Sequence, residues 1–431
     1  MPAEIAHFAL PVIAAASIVL MLLRPRGIPE VWWISAGAVL LIVLRLIPIR
    51  LAGQAIAKGS DVYLFLIGMM LLSEVAREQG VFDWVASVTV GGANGSCSRL
   101  FLLVYGAGTL VTVFMSNDAT AVVLTPAILT AVRKAKVSPL PCLFACALIA
   151  NAASFVLPIS NPANLVVFRV GMPPVGQWLA DFGVPSLLSI VVTFAVMRFL
   201  FRHELSKKIE CEIEDTNLSL NGKLVLAGLA LMILVLLTAS SMKKDLGLPT
   251  CLAALSITAV VSIKARSNPL TLAREISWAT ILLVAGLFVM VEAVENEGAL
   301  EVARHWLAWA AGLGQYAGAI VVGFFVGIAN NIVNNLPLGL IAGATIQAAH
   351  TNGLIANAVL IGVDLGPNLS MTGSLATILW LLAIRKEIGD PDEGEKIDIS
   401  FLKFLKVGAI AMPSALLAAL GGAVLMKILI G

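Results

Sequence analysis

The sequence predicts an all-α polytopic membrane protein made of two inverted five-span repeats, each with a re-entrant hairpin and a broken transmembrane helix. Three observations predict it. Apolar residues make up 59% of the 431-residue chain and charged residues only 13%, where a soluble domain carries about a quarter charged residues. Nearly uncharged stretches recur at about 20 residues, the length that crosses a hydrocarbon core of roughly 30 Å. The order of those stretches, with their polar interruptions, occurs twice.

Spans are expected at 6–23, 31–49, 62–79, 182–201, 223–242, 246–263, 277–296 and 402–426. No basic region precedes the first of them, so it reads as a retained span rather than a signal peptide. Two segments, 99–134 and 315–349, carry a polar break in the middle and read as hairpins that enter and leave on one side. Two more, 139–170 and 352–386, are long but interrupted by polar residues and prolines, and read as broken helices. Residues 81–95 and 299–312 are shorter and amphipathic, the signature of helices lying at the interface. This arrangement totals about ten spans and two hairpins. Residues 1–201 form the first repeat and 223–431 the second, joined by a mixed-charge cytoplasmic linker at 202–222.

The repeat is visible in residues. Glu74 and Gly80 match Glu292 and Gly298 at one offset, and Asn117-Asp118 matches Asn334-Asn335 at nearly the same one. An odd number of spans per half inverts the second half relative to the first, a recurring transporter design. Most Lys and Arg residues fall on one side of the spans, including Arg24, Arg26, Arg133, Lys134, Lys207, Lys208, Lys264 and Arg385. The positive-inside rule then places both termini outside, in a bacterial-type inner membrane.

The chemistry concentrates in the four breaks: 116–120, 158–164, 330–337 and 364–374. Irregular backbone at membrane depth survives only where protein or a water-filled cavity satisfies it. Asn, Asp and Ser cap the half-helix that follows, Pro interrupts the ladder, and the new N-terminus presents free N–H groups. The candidate substrate-binding residues are Ser116, Asn117, Thr120, Ser160, Asn161, Asn164, Asn334, Asn335, Asn368, Thr372 and Ser374. A single Asn or Pro in a membrane helix is more often a kink or an interhelical hydrogen bond, but four breaks in matched places point to a site. Asp118 and Asp364 are the candidate proton-coupling residues, because a mid-membrane carboxylate is costly and functional by default. The alternative for Asp118 is a permanently ionised cap.

Glu74 and Glu292 lie near span ends and read as ion-paired or interfacial; His350 reads as exposed. Cys142 and Cys146 share a helix face at i, i+4, a spacing that two thiols would need to bridge a trivalent metalloid, although buried cysteine is commonly a small apolar residue. The five cysteines include no C-x-x-C pair and no accompanying His cluster, so neither a disulfide framework nor a metal site is expected. A net charge of +2 gives no case for nucleic-acid binding. The chain contains no phosphate-binding loop, H-E-x-x-H or G-x-S-x-G. No cofactor or enzyme activity is expected, and transport must draw on an ion gradient or a separate ATPase subunit.

The segments SNDATAVVLTPAI (116–128), NNLPLGLIAG (334–343) and GVDLGPNLSMTGSLATILW (362–380) resemble the ArsB-type arsenite and antimonite efflux permeases of the ion transporter superfamily, which also includes sodium-coupled dicarboxylate transporters. Where the latter carry Ser-Asn-Thr at a hairpin tip, this chain reads Ser116-Asn117-Asp118 and Val333-Asn334-Asn335. The resemblance implies an elevator-type antiporter exporting arsenite or antimonite in exchange for protons. It further implies a cytoplasmic ArsA-type ATPase as a possible partner, and a homodimer in the lipid bilayer. A carboxylate or other small-anion transporter of the same superfamily is the alternative, and a channel or scaffold subunit a third.

Overall fold

A computed structural model describes residues 3–209, 217–296, 298, 300–351, 353–388 and 399–430. Cys211, much of the linker and most of the 387–400 loop lie outside the described residues. Within them the chain is helical, and seven helices are individually long and apolar enough to cross a membrane; a bent pair makes up to eight.

The first half runs α1 (Ala3–Leu23), α2 (Glu30–Val43), α3 (Ile49–Lys58), α4 (Ser60–Glu78) and α5 (Val81–Gly91), then a hairpin of α6 (Cys97–Phe114), α7 (Asn117–Ala119) and α8 (Thr125–Lys134). It continues with a broken helix, α9 (Leu140–Ala152) and α10 (Pro162–Val167), and ends with α11 (Val175–Leu200). After a short α12 (Arg202–Leu205), the second half repeats that order. It runs α13 (Leu220–Ser241), α14 (Gly247–Ala265), α15 (Pro269–Glu275), α16 (Trp278–Asn296) and α17 (Leu300–Gly312). The hairpin of α18 (Gln315–Val333) and α19 (Asn335–Ala348) follows, then the broken helix of α20 (Leu354–Leu365) and α21 (Leu375–Ile388), and α22 (Phe401–Ile430).

Packing follows the same duplication. α4 lies against α14 as α16 lies against α2. α10 packs on the returning arm of the second hairpin, α19, and α21 packs on the returning arm of the first. Partners exchange in this way when two halves are related by a two-fold axis. The matched glycines have one cause. Gly80 (φ 71°) and Gly298 (φ 76°) open the turns into α5 and α17, a left-handed conformation that glycine adopts without steric cost.

The span expected at 31–49 is shorter than its hydropathy suggests. α2 ends at Val43, Arg45 turns through φ 56°, and Pro48 precedes a separate amphipathic helix, α3, that meets α4 at a bend of 47°. Its counterpart α15, also absent from the sequence reading, begins at Pro269 and precedes α16. Proline lacks the N–H that an interior helical residue must donate but is preorganised for a first turn, so each starts a new helix. The amphipathic α5 and α17 pack on the hairpin arms α8 and α19.

The helices sort into two groups. α1–α4 and α13–α16 pack among themselves, as do the hairpins, broken helices, α11 and α22; α11 and α22 share the most extensive helix–helix contact. Close approach inside the second group depends on glycine. Gly323 and Gly327 of α18 face Gly362 and Gly366, and a Cβ on Gly362 would stand 2.6 Å from the Gly323 carbonyl oxygen. Small residues at this spacing let membrane helices touch backbone to backbone.

Candidate functional site

Each hairpin breaks at a single residue. Ser116 caps the returning arm of the first: its Oγ accepts from the Ala119 N–H at 3.2 Å, leaving Asn117 and Asp118 in the first turn, where the helix dipole favours negative charge. A π-helical turn, Thr120–Leu124, follows. It is stabilised by Thr125, whose backbone N–H and hydroxyl both donate to the Thr120 carbonyl, and it precedes Pro126, which has no N–H to continue an α-ladder. Such turns cluster at functional sites.

The second hairpin breaks at Asn334, held at φ 78° and ψ 153°. This region is nearly exclusive to glycine and costs about 1–3 kcal/mol. The opposing broken helix holds it there. Asn334 Nδ2 donates to the Thr372 carbonyl at 3.2 Å and the Asn335 N–H to the Gly373 carbonyl at 3.0 Å. Thr372 Oγ1 donates to the Asn331 carbonyl at 3.0 Å. Tip and break are one bonded unit.

The two broken helices are joined at their breaks. Asn161 Nδ2 donates to Asp364 Oδ1 at 2.8 Å, while Asn161 Oδ1 caps α10 by accepting from the Ala163 N–H at 3.0 Å. Asn151 Nδ2 donates to Asn368 Oδ1 at 3.0 Å, and Asn368 Nδ2 to the Leu148 carbonyl at 3.0 Å. Asn164 Nδ2 serves the carbonyls of Ser154, Leu157 and Pro158 within the first break. Ser160 Oγ donates to the Val113 carbonyl, Thr120 pairs with Thr112, and Ser374 pairs with Thr377. Many of the residues singled out from sequence thus satisfy backbone that the breaks leave open, as buried polar groups require.

What remains open is of one chemical kind. The buried oxygens Asn117 Oδ1, Asn151 Oδ1, Asn164 Oδ1, Asn330 Oδ1, Asn335 Oδ1 and Asp364 Oδ2 have no hydrogen-bond partner. All are acceptors. Asp364 is fully buried, with one oxygen bonded to Asn161 and the other unpartnered. An uncompensated buried carboxylate is costly, so a proton or another cation at Oδ2 relieves it.

A cavity of 170 Å³ reaches the first tip between the two helix groups. Ser116 and Asp118 line it from the tip, Ser73 and Glu74 from α4, and Glu275 and Thr280 from α15 and α16. Its ionisable lining residues are all acidic. At the second tip a 10 Å³ pocket lies beside Asn334 and Pro337, room for about one water. Asp118 and Asp364 therefore differ: Asp118 is half-buried and lines the open cavity, and Asp364 sits inside the helix-break network.

Sequence reasoning missed the cavity wall on α4, α15 and α16, because ordinary span residues such as Ser73 and Thr280 carry no local signal. It placed Asn330 in the third break without counting it among the binding candidates, and left Asn151 out of them too, although its polarity inside an apolar helix was the available clue. Glu74 and Glu292 are ion-paired as expected, to Arg77 and to Lys58 (2.6 Å). His350 is exposed. Cys142 and Cys146 are buried, and among the described residues no group of three His, Cys, Asp or Glu side chains is arranged to hold a metal ion.

Comparison with known proteins agrees with this architecture. The chain is 27% identical over 391 residues to the arsenical pump membrane protein of Escherichia coli strain K12, covering 85% of this chain and 88% of that one. It is 25% identical over 383 residues to the arsenical pump membrane protein of Yersinia enterocolitica, with the same coverage. The fold matches the crystal structure of the Alcanivorax borkumensis YdaH transporter with a TM-score of 0.53 at 15% identity, over 88% of this chain and 87% of that one. The relatives are membrane transporters, not enzymes. The family model described as a citrate transporter, CitMHS, matches residues 9–367, and the chain belongs to that family within the ion transporter superfamily.

Proposed function

We propose that this transporter exports trivalent arsenite or antimonite in exchange for protons. The observation that carries the reading is the chemistry of the open groups: buried oxygens at the breaks that lack donors, and no Lys, Arg or His lining the cavity that reaches the first tip. Arsenous acid is a neutral triol near pH 7 and brings three O–H donors. Citrate brings one hydroxyl donor against three carboxylates, and other carboxylates bring mainly acceptors and negative charge, which such a site leaves unpaired. The similarity to arsenical pump proteins supports the same choice. The family description supports carboxylate transport as the second reading.

In this reading Ser116, Asn117 and Asn335 offer polar groups to the substrate, and Asp118 and Asp364 take up and release the protons. The two halves are inverted in the membrane, with both termini outside and the 170 Å³ cavity opening to the cytoplasm. The hairpin group moves as one body against α1–α4 and α13–α16, in elevator fashion. Sparse packing between the groups supports that division. An ATPase subunit docking on the cytoplasmic face, and a homodimer, are compatible additions.

Binding tests the substrate directly. Thermal unfolding of the detergent-solubilised protein should shift upward with arsenite and antimonite and stay unchanged with citrate and succinate. The shift with arsenite should shrink in Asn117→Leu. Stabilisation by citrate alone would assign the site to carboxylates.

A further inference from the structure

The two-fold relation between the halves exposes a difference at the mouth of the open cavity. Glu292 of α16 pairs with Lys58, the last residue of α3, at 2.6 Å. Glu74 holds the position on α4 that Glu292 holds on α16. The last residue of α15, where α3 ends in Lys58, is Glu275. The same corner of the fold therefore carries an acid and a base in one place and two acids in the other. Both acids line the 170 Å³ cavity, and Asp118 lines it further in. Arg77 pairs with Glu74 from the solvent side and also feels Glu275 and Glu78; it does not line the cavity, and neither does the exposed Arg274. The cavity lining itself carries three carboxylates, Glu74, Glu275 and Asp118, and no base; outside it the two arginines, Arg77 and Arg274, are accompanied by a further acid, Glu78, which leaves the mouth negative. The cavities at the other ends of the helices differ: one of 210 Å³ is lined by Arg169, Lys243 and Lys244 beside Asp61 and Asp245.

We infer that Glu74 and Glu275 are specificity-determining residues: an acidic mouth that admits neutral and cationic solutes to the hairpin tip and turns carboxylate and other anions away. A low-dielectric cleft lined by one sign of charge focuses its field and changes local ion concentrations by about tenfold or more. The mouth thus rejects anions before the tip is reached. This rests on the proposed export of a neutral metalloid only for its purpose; the charge filter itself is readable without any transported substrate.

The test uses a reporter thiol in the cavity of the full-length protein in everted membranes. Ser73→Cys lines the cavity beyond Glu74, and Val123→Cys serves if the first variant does not fold. Rates of labelling by positively charged (ethyltrimethylammonium) and negatively charged (ethylsulfonate) methanethiosulfonates are measured, with the parent protein, native cysteines included, as background. The cationic reagent should be strongly favoured. Glu275→Gln in the reporter background should lower the cation-to-anion ratio by roughly tenfold. Glu275→Lys, which copies the Lys58–Glu292 arrangement, should lower it further. Ratios that stay within twofold across all three proteins overturn the inference. Because labelling needs no arsenite, this result is separable from failure of the export reading.

Discussion

Asp364 and Asn334 make the strongest demands on their surroundings. Asp364 is fully buried with one oxygen donated to by Asn161 and the other unpartnered. Asp364→Asn keeps the shape and removes the ionisable group, so arsenite binding should persist while dependence on the proton gradient is lost. Asn334 holds a backbone conformation that suits glycine. Asn334→Ala keeps the strained backbone and loses the bond to the Thr372 carbonyl, and should destabilise the protein by about 1–3 kcal/mol. Asn334→Gly loses the same bond but relieves the backbone strain, and should be the more stable of the two variants by about 1–3 kcal/mol. Thermal unfolding of the two variants side by side checks the order. Single residues were unevenly legible in the sequence. Asp118 and Asp364 stand out as charge in apolar surroundings. That Asn164 serves three carbonyls, rather than a substrate, depends on where the chain turns between Ala152 and Pro162, which no local pattern specifies.

At the scale of elements, prolines and polar runs located all four breaks, because helix interruption is a local matter of missing N–H groups and capping side chains. The helices α3 and α15 escaped notice because they abut longer apolar runs, and only proline marks their starts. The breaks are stable because each is bonded elsewhere. Asn164→Leu strips the carbonyls of Ser154, Leu157 and Pro158 of a shared donor at a fully buried position and should cost about 3 kcal/mol or more, visible as lost monodisperse protein in detergent. Gly362→Val should uncouple α18 from α20, since its Cβ would stand 2.6 Å from the Gly323 carbonyl oxygen. Replacing Gly176, which lies inside α11 and has nothing within 4 Å of an added Cβ, by alanine should not lower stability and should raise it by up to about 1 kcal/mol.

For the whole molecule, the duplication was readable from Glu74–Gly80 against Glu292–Gly298, and the exchanged packing partners agree with it. The grouping of helices into two bodies, with a 170 Å³ cavity at one tip and a 10 Å³ pocket at the other, was not readable. It depends on which faces meet across more than a hundred residues of sequence. The proposed inversion with external termini predicts that a C-terminal alkaline phosphatase fusion is active and that a C-terminal green fluorescent protein fusion is dark.

The central claim is that acceptor-rich helix breaks carry a neutral metalloid against protons. Arsenite and citrate accumulation in everted vesicles, measured in parallel under an imposed pH gradient, tests it most directly. The account predicts gradient-dependent arsenite uptake that collapses when the gradient is dissipated and is lost in Asp364→Asn, with no citrate uptake. Citrate accumulation without arsenite movement, or arsenite uptake indifferent to the gradient, would contradict it.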